Sequence, residues 1–122
     1  KEKAGAAGEL IDSVKKAGDV SVLAAKVSGD AKELREMADA LRQKLGSGIV
    51  LLAAEQEGKA LILAAVTRDL TDRYSAGEII KKLAPVIGGK GGGKSDMAQA
   101  GGSEPANINK AIEELYKIIQ AM

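Results

Sequence analysis

Two apolar runs separated by a short polar turn restrict the fold of this chain more than any other feature. They lie in GIVLLAAEQEGKALILAAVT, residues 48–67, on either side of EQEGK. A polar turn containing glycine between two apolar runs is typical of a β-hairpin, which here should turn near Glu57-Gly58. Because neither run alternates apolar with polar residues, both strands should be covered on both faces. We therefore expect them at the centre of a sheet.

The segment before the hairpin predicts a helix, a strand and a second helix. The first helix is expected from about Gly8 to Ala17, and the β-branched segment DVSVLAAKV that follows predicts a strand. Asp30 and Glu33 then have capping-box spacing, and the residues after them are apolar on one helical face. The apolar residues of this face are Leu34, Met37, Ala38, Leu41 and Leu45. Gly46 should end that helix.

Two helices and a glycine-rich loop are expected after the hairpin. Ser75 and Glu78 form a second capping-box pair, and the helix after them should end or kink near Pro85. The glycine-rich loop comes next, followed by the short segment DMAQA, which predicts an edge strand. The last helix should begin at Ser103, or at Glu104 before a proline.

The predicted order of elements is α-β-α-β-β-α-loop-β-α. This order indicates an α/β fold, a small sandwich of helices on a mixed β-sheet that is preceded by a short N-terminal helix.

Composition excludes several kinds of chemistry. The 122 residues include no cysteine and no histidine, which excludes disulfides, thiolate metal sites and histidine general bases. We expect no metal and no cofactor. We also expect no membrane partner, because no apolar run approaches the roughly 20 residues that cross a bilayer. The net charge of +1 neither predicts nor excludes a nucleic-acid partner. We expect a cytoplasmic location and, since the chain begins at Lys1 rather than methionine, a piece of a longer protein.

The segment GGKGGGKS, residues 88–95, has the spacing of a phosphate-binding P-loop. A working P-loop joins the end of a buried strand to the start of a helix. Here the glycines follow a helix, and five residues separate Ser95 from the next glycine pair. No later apolar strand ends in an aspartate that could hold magnesium. The sequence therefore argues against nucleotide hydrolysis by this segment.

The glycines of this segment still need an explanation, because ordering them carries a large entropy cost. One interpretation is ligand contact, since bare backbone lets amide groups approach an anion or a flat ligand. The alternative is a flexible linker, or a tight crossover that needs positive φ. The stretch from residue 81 to residue 94 holds four lysines and no acid: Lys81, Lys82, Lys90 and Lys94. Lys81 and Lys82 are also explained as the solvated end of a helix.

The segment GGKGGGKSDMAQAGG, Gly88 to Gly102, resembles the signature of the C-terminal domain of alanyl-tRNA synthetase. That domain belongs to the DHH-associated domain family, which DHH phosphoesterases and nucleases share. DAKELREMADALRQKLGSGIVLLAAEQEGKALILAAVT is similar to the helix and strand pair of that domain, and SAGEIIKKLAPVIGG is similar to its lead-in helix. The resemblance implies a globular domain over residues 19–122, and residues 1–18 resemble the end of a preceding helical linker.

The chain departs from the pattern of this family at two points. The synthetases commonly have arginine and proline at the positions of Lys94 and Ser95, and lysine keeps the charge but loses bidentate phosphate contacts. The phosphoesterase branch typically carries a histidine after its glycines, whereas this chain has no histidine. The second difference favours the synthetase branch.

The resemblance implies a non-catalytic, tRNA-binding module of a larger ATP-dependent alanine–tRNA ligase. In that family the C-terminal domain binds the elbow of alanine-specific tRNA, helps link aminoacylation with editing and often contributes to dimerisation. The implied partners are this tRNA and the rest of the synthetase chain, and a homodimer is an open alternative. Tyr74 and Tyr116 are too few aromatic residues for base-by-base stacking, so recognition by phosphate contacts and shape is expected.

The candidate RNA-binding residues centre on the glycine-rich segment. Lys90 and Lys94 would contact phosphates, and the other cations would form a weaker surround. Tyr74 would stack on an exposed base pair or, alternatively, anchor the start of a helix. The full candidate set is Lys90, Lys94, Gly89, Gly91, Gly92, Gly93, Lys81, Lys82, Arg68, Arg73 and Tyr74. No catalytic or metal-binding residue is expected.

Two rival hypotheses belong to other classes of function. In the first, the chain is a dimerisation module of the same synthetase, in which the leading helix and the sheet edge mediate self-association. In the second, it is a nucleic-acid-binding domain of a DHH phosphoesterase.

Overall fold

The helices and strands of the chain form one six-stranded sheet with helices packed on it, in a computed structural model that describes residues 14–17 and 19–121. The elements are β1 (Lys15–Ala17), β2 (Val20–Lys26), α1 (Ala31–Leu45), β3 (Ile49–Gln56), β4 (Lys59–Val66), α2 (Ala76–Leu83), β5 (Gly89–Gly93), β6 (Met97–Gly102) and α3 (Ile108–Ala121). Short 3-10 helices cover Arg68–Leu70, Ala84–Ile87 and Pro105–Asn107.

The sheet is mixed, with strand order β1-β2-β3-β4-β6-β5. β2 and β3 run parallel, and the other neighbouring strands run antiparallel. Parallel neighbours need a long crossover connection, which α1 provides. The predicted α/β sandwich on a mixed sheet is confirmed.

The apolar hairpin lies at the centre of the sheet, as predicted. Its strands pair from Ile49 opposite Val66 to Gln56 opposite Lys59. The two residues between them, Glu57 and Gly58, have φ values of 53° and 77°, and a type I′ turn requires positive φ at both positions. Residues 49–54 of β3 and 62–66 of β4 are buried.

Two hydrophobic clusters cover the two faces of the sheet. On one face, α1 buries Leu34, Met37, Ala38 and Leu41 against β2, β3 and β4. On the other face, α2 and α3 pack against the alternate residues of the same strands, with Ile79, Ile80, Leu83, Ala111 and Leu115 fully buried. Successive side chains of a strand point to opposite faces, so a strand buried on both sides is apolar throughout.

Local signals determine where the first two helices begin and end. The N–H of Glu33 donates to the carboxylate of Asp30 at 2.9 Å, and the N–H of Asp30 donates to the carboxylate of Glu33 at 2.9 Å. These two hydrogen bonds form the predicted capping box. Helix α2 ends at Leu83 and continues as a 3-10 turn that contains Pro85, which agrees with the predicted end of this helix.

Three expectations about secondary structure are wrong. Lys15–Ala17, the end of the predicted first helix, is a strand because it pairs antiparallel with the free edge of β2; residues 8–13 of that helix lie outside the described residues. The glycine-rich segment is not a loop but the edge strand β5, whose backbone pairs with β6. β6, expected at the edge, therefore lies between β4 and β5.

The last helix begins later than expected. Glu104 precedes a 3-10 turn and makes no side-chain capping hydrogen bond, and α3 begins at Ile108. The division of the chain into a linker over 1–18 and a domain over 19–122 stays a prediction.

The type I′ turn generates a prediction about stability. Glu57 has positive φ, which is costly for most residues with a side chain, whereas Asn-Gly is a preferred sequence in this turn. We expect Glu57→Asn to raise the free energy of unfolding by about 0.5–1 kcal/mol in urea titrations followed by circular dichroism. Glu55→Asn is the matched control in β3, where asparagine is disfavoured and should not stabilise. Equal effects of the two changes would contradict the assigned turn.

Candidate nucleic-acid interface

Strand β5 lies so close to β6 that three of its glycines are sterically required. A methyl group added at Gly89 would lie 1.8 Å from the carbonyl oxygen of Gly101, and one at Gly91 would lie 2.3 Å from the Cβ of Ala100. One at Gly93 would lie 2.7 Å from the backbone of β6. Only glycine fits at such distances, so these three glycines have a structural explanation.

Gly92 is different from its neighbours. A methyl group added there would lie 3.9 Å from the Cε of Lys81. Apart from the adjoining backbone, no other atom of the described residues would lie within 4 Å. A side chain would therefore fit at Gly92. The interpretation that bare backbone serves a ligand depends on Gly92 rather than on the whole glycine-rich segment.

The N-terminus of α2 lies against the turn after β5, and carbonyl oxygens of the chain itself occupy it. The N–H of Ala76 donates to the carbonyl of Ser95 at 2.8 Å, and the N–H of Gly77 donates to the carbonyl of Lys94 at 3.0 Å. In a P-loop the amides at a helix N-terminus point at a phosphate. Here the two amides belong to α2, which precedes the glycines, and they already have partners. The segment itself leads into strand β6 rather than into a helix, so residues 88–95 do not form a P-loop.

The structure brings the predicted lysines together around β5. Lys90 is exposed on the strand and Lys94 is exposed directly after it. Lys81 extends from α2 to the edge of β5, and its Nζ lies 3.8 Å from the carboxylate of Glu78. Lys82 is exposed on the same helix. Lys82, Lys90 and Lys94 form no ion pair with any residue of the described ranges.

Tyr74 and Arg73 do not lie with these lysines but in the loop between β4 and α2. Tyr74 is 4% exposed and packs in the core beside α2, so its ring anchors this helix and the predicted base stacking is wrong. The guanidinium of Arg73 lies 5.1 Å from the centre of the Tyr74 ring, and it donates to the hydroxyl of Tyr74 at 3.2 Å. Arg73 also forms an ion pair with Asp19 at 3.8 Å. The guanidinium of Arg73 is therefore already in contact with side chains of its own protein.

Arg68 is exposed in the same loop, beside an acid that reduces its positive potential. Hydrogen bonds from the hydroxyl of Ser47, and then from that of Thr67, lower the pKa of Asp69 below its ordinary value. Asp69 therefore stays ionised next to Arg68 at neutral pH.

A groove beside β5 contains basic residues that are not in the predicted set. It has a volume of about 470 Å³ and lies between α1 and the β5–β6 pair. Arg35 and Arg42 of α1 line one side, Lys94 lines the other, and Gly92 and Gln99 line the strands beneath. Positions 35, 39 and 42 lie on one side of a helix, and this spacing is the sequence signal that could have identified them.

Arg42 attaches α1 to the start of β6, whereas Arg35 is free to bind a ligand. The guanidinium of Arg42 donates to the carbonyl oxygen of Asp96 at 3.2 Å and forms an ion pair with the carboxylate of Asp39. Its charge is therefore compensated within the protein. Arg35 is exposed and has no ion-pair partner among residues 14–17 and 19–121. Arg42 also lies 4.0 Å from the carboxylate of Asp96, so three basic and two acidic side chains line the groove and leave it with a small net positive charge.

Neither a metal-binding cluster nor a membrane-spanning helix is present in the described ranges. Residues 14–17 and 19–121 contain no group of three or more histidine, cysteine, aspartate or glutamate side chains that could hold a metal ion. Within the same ranges, no helix has both the length and the apolar character needed to cross a membrane.

A family model for the DHHA1 domain matches residues 19–121, which include the groove, β5 and β6. The chain therefore belongs to the DHHA1 domain family. Within this family it is similar to the C-Ala domain from Aquifex aeolicus alanyl-tRNA synthetase, with a TM-score of 0.83 and 30% sequence identity. That match covers 88% of this chain and 97% of the C-Ala chain, which confirms the resemblance to the synthetase domain.

Curated relatives with high sequence identity are alanine–tRNA ligases. The enzyme of Anaeromyxobacter dehalogenans (strain 2CP-C) is 54% identical over 118 residues, which are 97% of this chain. The enzyme of Roseiflexus sp. (strain RS-1) is 52% identical over 114 residues, which are 92% of this chain. The chain spans 13% of the length of each of these relatives.

A likeness to the structure of RecJ extends to the fold alone. RecJ from Thermus thermophilus, in complex with Mg²⁺, superposes with a TM-score of 0.67 at 15% identity and covers 98% of this chain. The matched part is 18% of the RecJ chain.

The contrast between Gly91 and Gly92 generates a second prediction. Gly91→Ala should lower the free energy of unfolding by about 1–3 kcal/mol, because its methyl group would overlap the side chain of Ala100. Gly92→Ala should stay within about 0.5 kcal/mol of the parent, since the space beside it is open. Urea unfolding of both variants measures the difference. Equal stabilities would contradict the close approach of β5 to β6.

Proposed function

We propose that this chain is the tRNA-binding C-terminal module of an alanine–tRNA ligase, which holds the elbow of alanine tRNA and helps link aminoacylation with editing. The observation that carries the proposal is the position of Lys90 and Lys94. Both are exposed and free of ion pairs within the described ranges, at a sheet edge where Gly92 leaves the backbone open. The similarity to the C-Ala domain and to alanine–tRNA ligases supports the same proposal.

Phosphate contacts and shape would provide the affinity. Lysines that neutralise phosphates release counterions, which makes binding strong at low salt and weak at high salt. A folded tRNA corner presents phosphates and sugars in a fixed arrangement, which suits a surface poor in aromatic residues. Weaker contacts around Lys90 and Lys94 would come from Lys81, Lys82 and Arg68. Arg73 would contribute less than these, because its side chain is held by Tyr74 and Asp19.

The module would have no chemistry of its own. The chain contains no histidine and no cysteine, and the activation of alanine and its transfer to tRNA would belong to other parts of the ligase. The proposal includes a cytoplasmic location and no cofactor in this part of the protein.

A salt series of tRNA binding tests the role of the two lysines. Lys90→Ala combined with Lys94→Ala should weaken binding of an alanine tRNA transcript and lower the slope of log affinity against log salt by roughly two. The matched control is Lys44→Ala combined with Lys110→Ala, which removes the same charge from exposed lysines of α1 and α3 that also form no ion pair within the described ranges. If both double variants lose the same affinity and slope, the lysines of β5 are not the RNA contact.

A comparison of two RNAs tests recognition of the elbow. The full alanine tRNA transcript should bind at least about tenfold more tightly than a hairpin of its acceptor stem, because the hairpin lacks the elbow and offers fewer phosphates. Filter binding or fluorescence anisotropy at one salt concentration measures both. Equal affinities would contradict elbow recognition and indicate general attraction to phosphates.

Self-association is the alternative function, and one observation favours it. The outer side of β5 is a free sheet edge in the described structure, and such an edge can pair with a strand of another chain. Lys81, Lys90 and Lys94 line that edge, and charged lysines oppose edge pairing. The RNA-binding role therefore has the stronger support.

A further inference from the structure

The alternating residues of β6 face two different environments. Ala98 and Ala100 are buried in the cluster that contains α2 and α3. Met97 packs at the margin of the cluster on the opposite face, which contains α1. Because side chains alternate along a strand, Gln99 and Gly101 lie on the same face as Met97.

The neighbouring strand adds two residues to that face. Gly92 pairs with Gln99 in the register of the sheet, and Lys90 pairs with Gly101. Residues directly opposite each other on adjacent strands share a face. We call the surface formed by Lys90, Gly92, Met97, Gln99 and Gly101 the shelf.

No helix of the described ranges covers the shelf. The buried residues of α1 pack on β2, β3 and β4, and α1 reaches only to the near side of the shelf, where Arg35 and Arg42 lie. The groove of about 470 Å³ opens at the end of the shelf that lies beside Lys94. A second depression of about 340 Å³ opens at the other end, beside Lys59 and Ser103.

Both glycines of the shelf occupy positions where a side chain would fit. A methyl group added at Gly101 would lie 3.8 Å from its nearest neighbour, the carbonyl oxygen of Ala60, and the space at Gly92 is equally open. The glycine that follows in β6 is different, because a methyl group at Gly102 would lie 2.1 Å from the carbonyl oxygen of Ile87. The packing of the protein explains Gly102 but not Gly92 or Gly101. A glycine that internal packing does not require often marks a place where another molecule approaches the backbone closely.

The charges on the shelf and at its ends that form no ion pair within the described ranges are positive. Asp39 and Asp96, which also line the groove, are paired with Arg42. Arg35 and Lys94 lie at one end, Lys90 lies on it and Lys59 lies at the other end, and none of them has an ion-pair partner among the described residues. From Met97 to Gly101 the strand covers roughly 14 Å at about 3.4 Å per residue. The side-chain amide of Gln99 can both donate and accept hydrogen bonds. It is half-buried and makes no hydrogen bond with any residue of the described ranges.

We propose that the shelf is the bed for a sugar–phosphate strand of RNA, and that Arg35 of α1 contacts a phosphate across the groove from Lys94. The inference rests on the proposed function and deepens it. It moves the contact from the edge of β5 to the face of the β5–β6 pair, and it adds Arg35 and Gln99 to the contacting residues. Gly92 and Gly101 keep the surface low enough for the strand to lie on the backbone.

Leucine substitutions at the two permissive glycines test the shelf with the complete chain and an alanine tRNA transcript. Gly92→Leu and Gly101→Leu should each melt within a few degrees of the parent and lower tRNA affinity at least about tenfold, since a bulky side chain would displace the strand. The salt slope should change little, because no charge is removed. Asn109→Leu, at an exposed position of α3, is the matched control and should bind like the parent.

Removal of the new cation provides a second test that does not depend on the leucine variants being folded. Arg35→Ala should lower affinity and reduce the salt slope by about one. Lys44→Ala is its control, because Lys44 is exposed and nine residues along α1, on the opposite side of the helix.

The outcomes separate the shelf from the proposed function. If the double lysine variant loses binding while the leucine variants and Arg35→Ala bind like the parent, RNA contacts the edge of β5 alone and the shelf proposal is wrong. If the double lysine variant also binds like the parent, the proposed function itself fails. If the leucine variants keep tRNA binding but change the sedimentation of the chain without RNA, the shelf contacts a second copy, which would overturn the proposal.

Discussion

The β3–β4 hairpin is buried on both faces, and the other elements take their places from that burial. Each fully buried leucine or isoleucine contributes about 1.5–3 kcal/mol, so leaving either face exposed would be costly. Helix α1 covers one face, and α2 and α3 cover the other. A single helix is too narrow to cover six strands, and α1 lies over β2, β3 and β4. The β6–β5 side of the sheet therefore extends beyond α1, and its exposed face is a consequence of how the hairpin is covered.

The close contact between β5 and β6 gives a second meaning to a glycine-rich sequence. Gly89, Gly91 and Gly93 are needed because the two backbones approach too closely for a Cβ, whereas Gly92 and Gly101 have room for one. Packing therefore explains some of the glycines in this short segment and does not explain others. The turn after β5 brings the carbonyl groups of residues 94 and 95 to the N-terminus of α2, where they accept hydrogen bonds from two amides of that helix. These two amides are therefore not free to bind an anion.

Sequence alone predicted the parts of the fold that local signals determine. The hairpin, the capping box at Asp30 and the end of α2 near Pro85 follow from patterns within a few residues, and all three are confirmed. The position of β5 depends on pairing with β6, which no local pattern reports, so a run of glycines predicted a loop. The position of Arg35 beside the groove was missed for a similar reason, because it depends on how far α1 extends across the sheet. Burial of Tyr74 likewise depends on packing with α2, which its polar neighbours in sequence do not indicate.

Backbone amide signals observed by nuclear magnetic resonance during titration with alanine tRNA would locate the contact without any substitution. If the face of the β5–β6 pair binds the RNA, the largest shifts or line broadening should occur at Lys90, Gly92, Lys94, Gln99 and Gly101, with Arg35 of α1 next. The amides of Lys110 and Lys117 on α3 should change little. The largest changes on α3 or along β1, with none at Gly92 and Gly101, would contradict RNA binding at this face and direct attention to another surface.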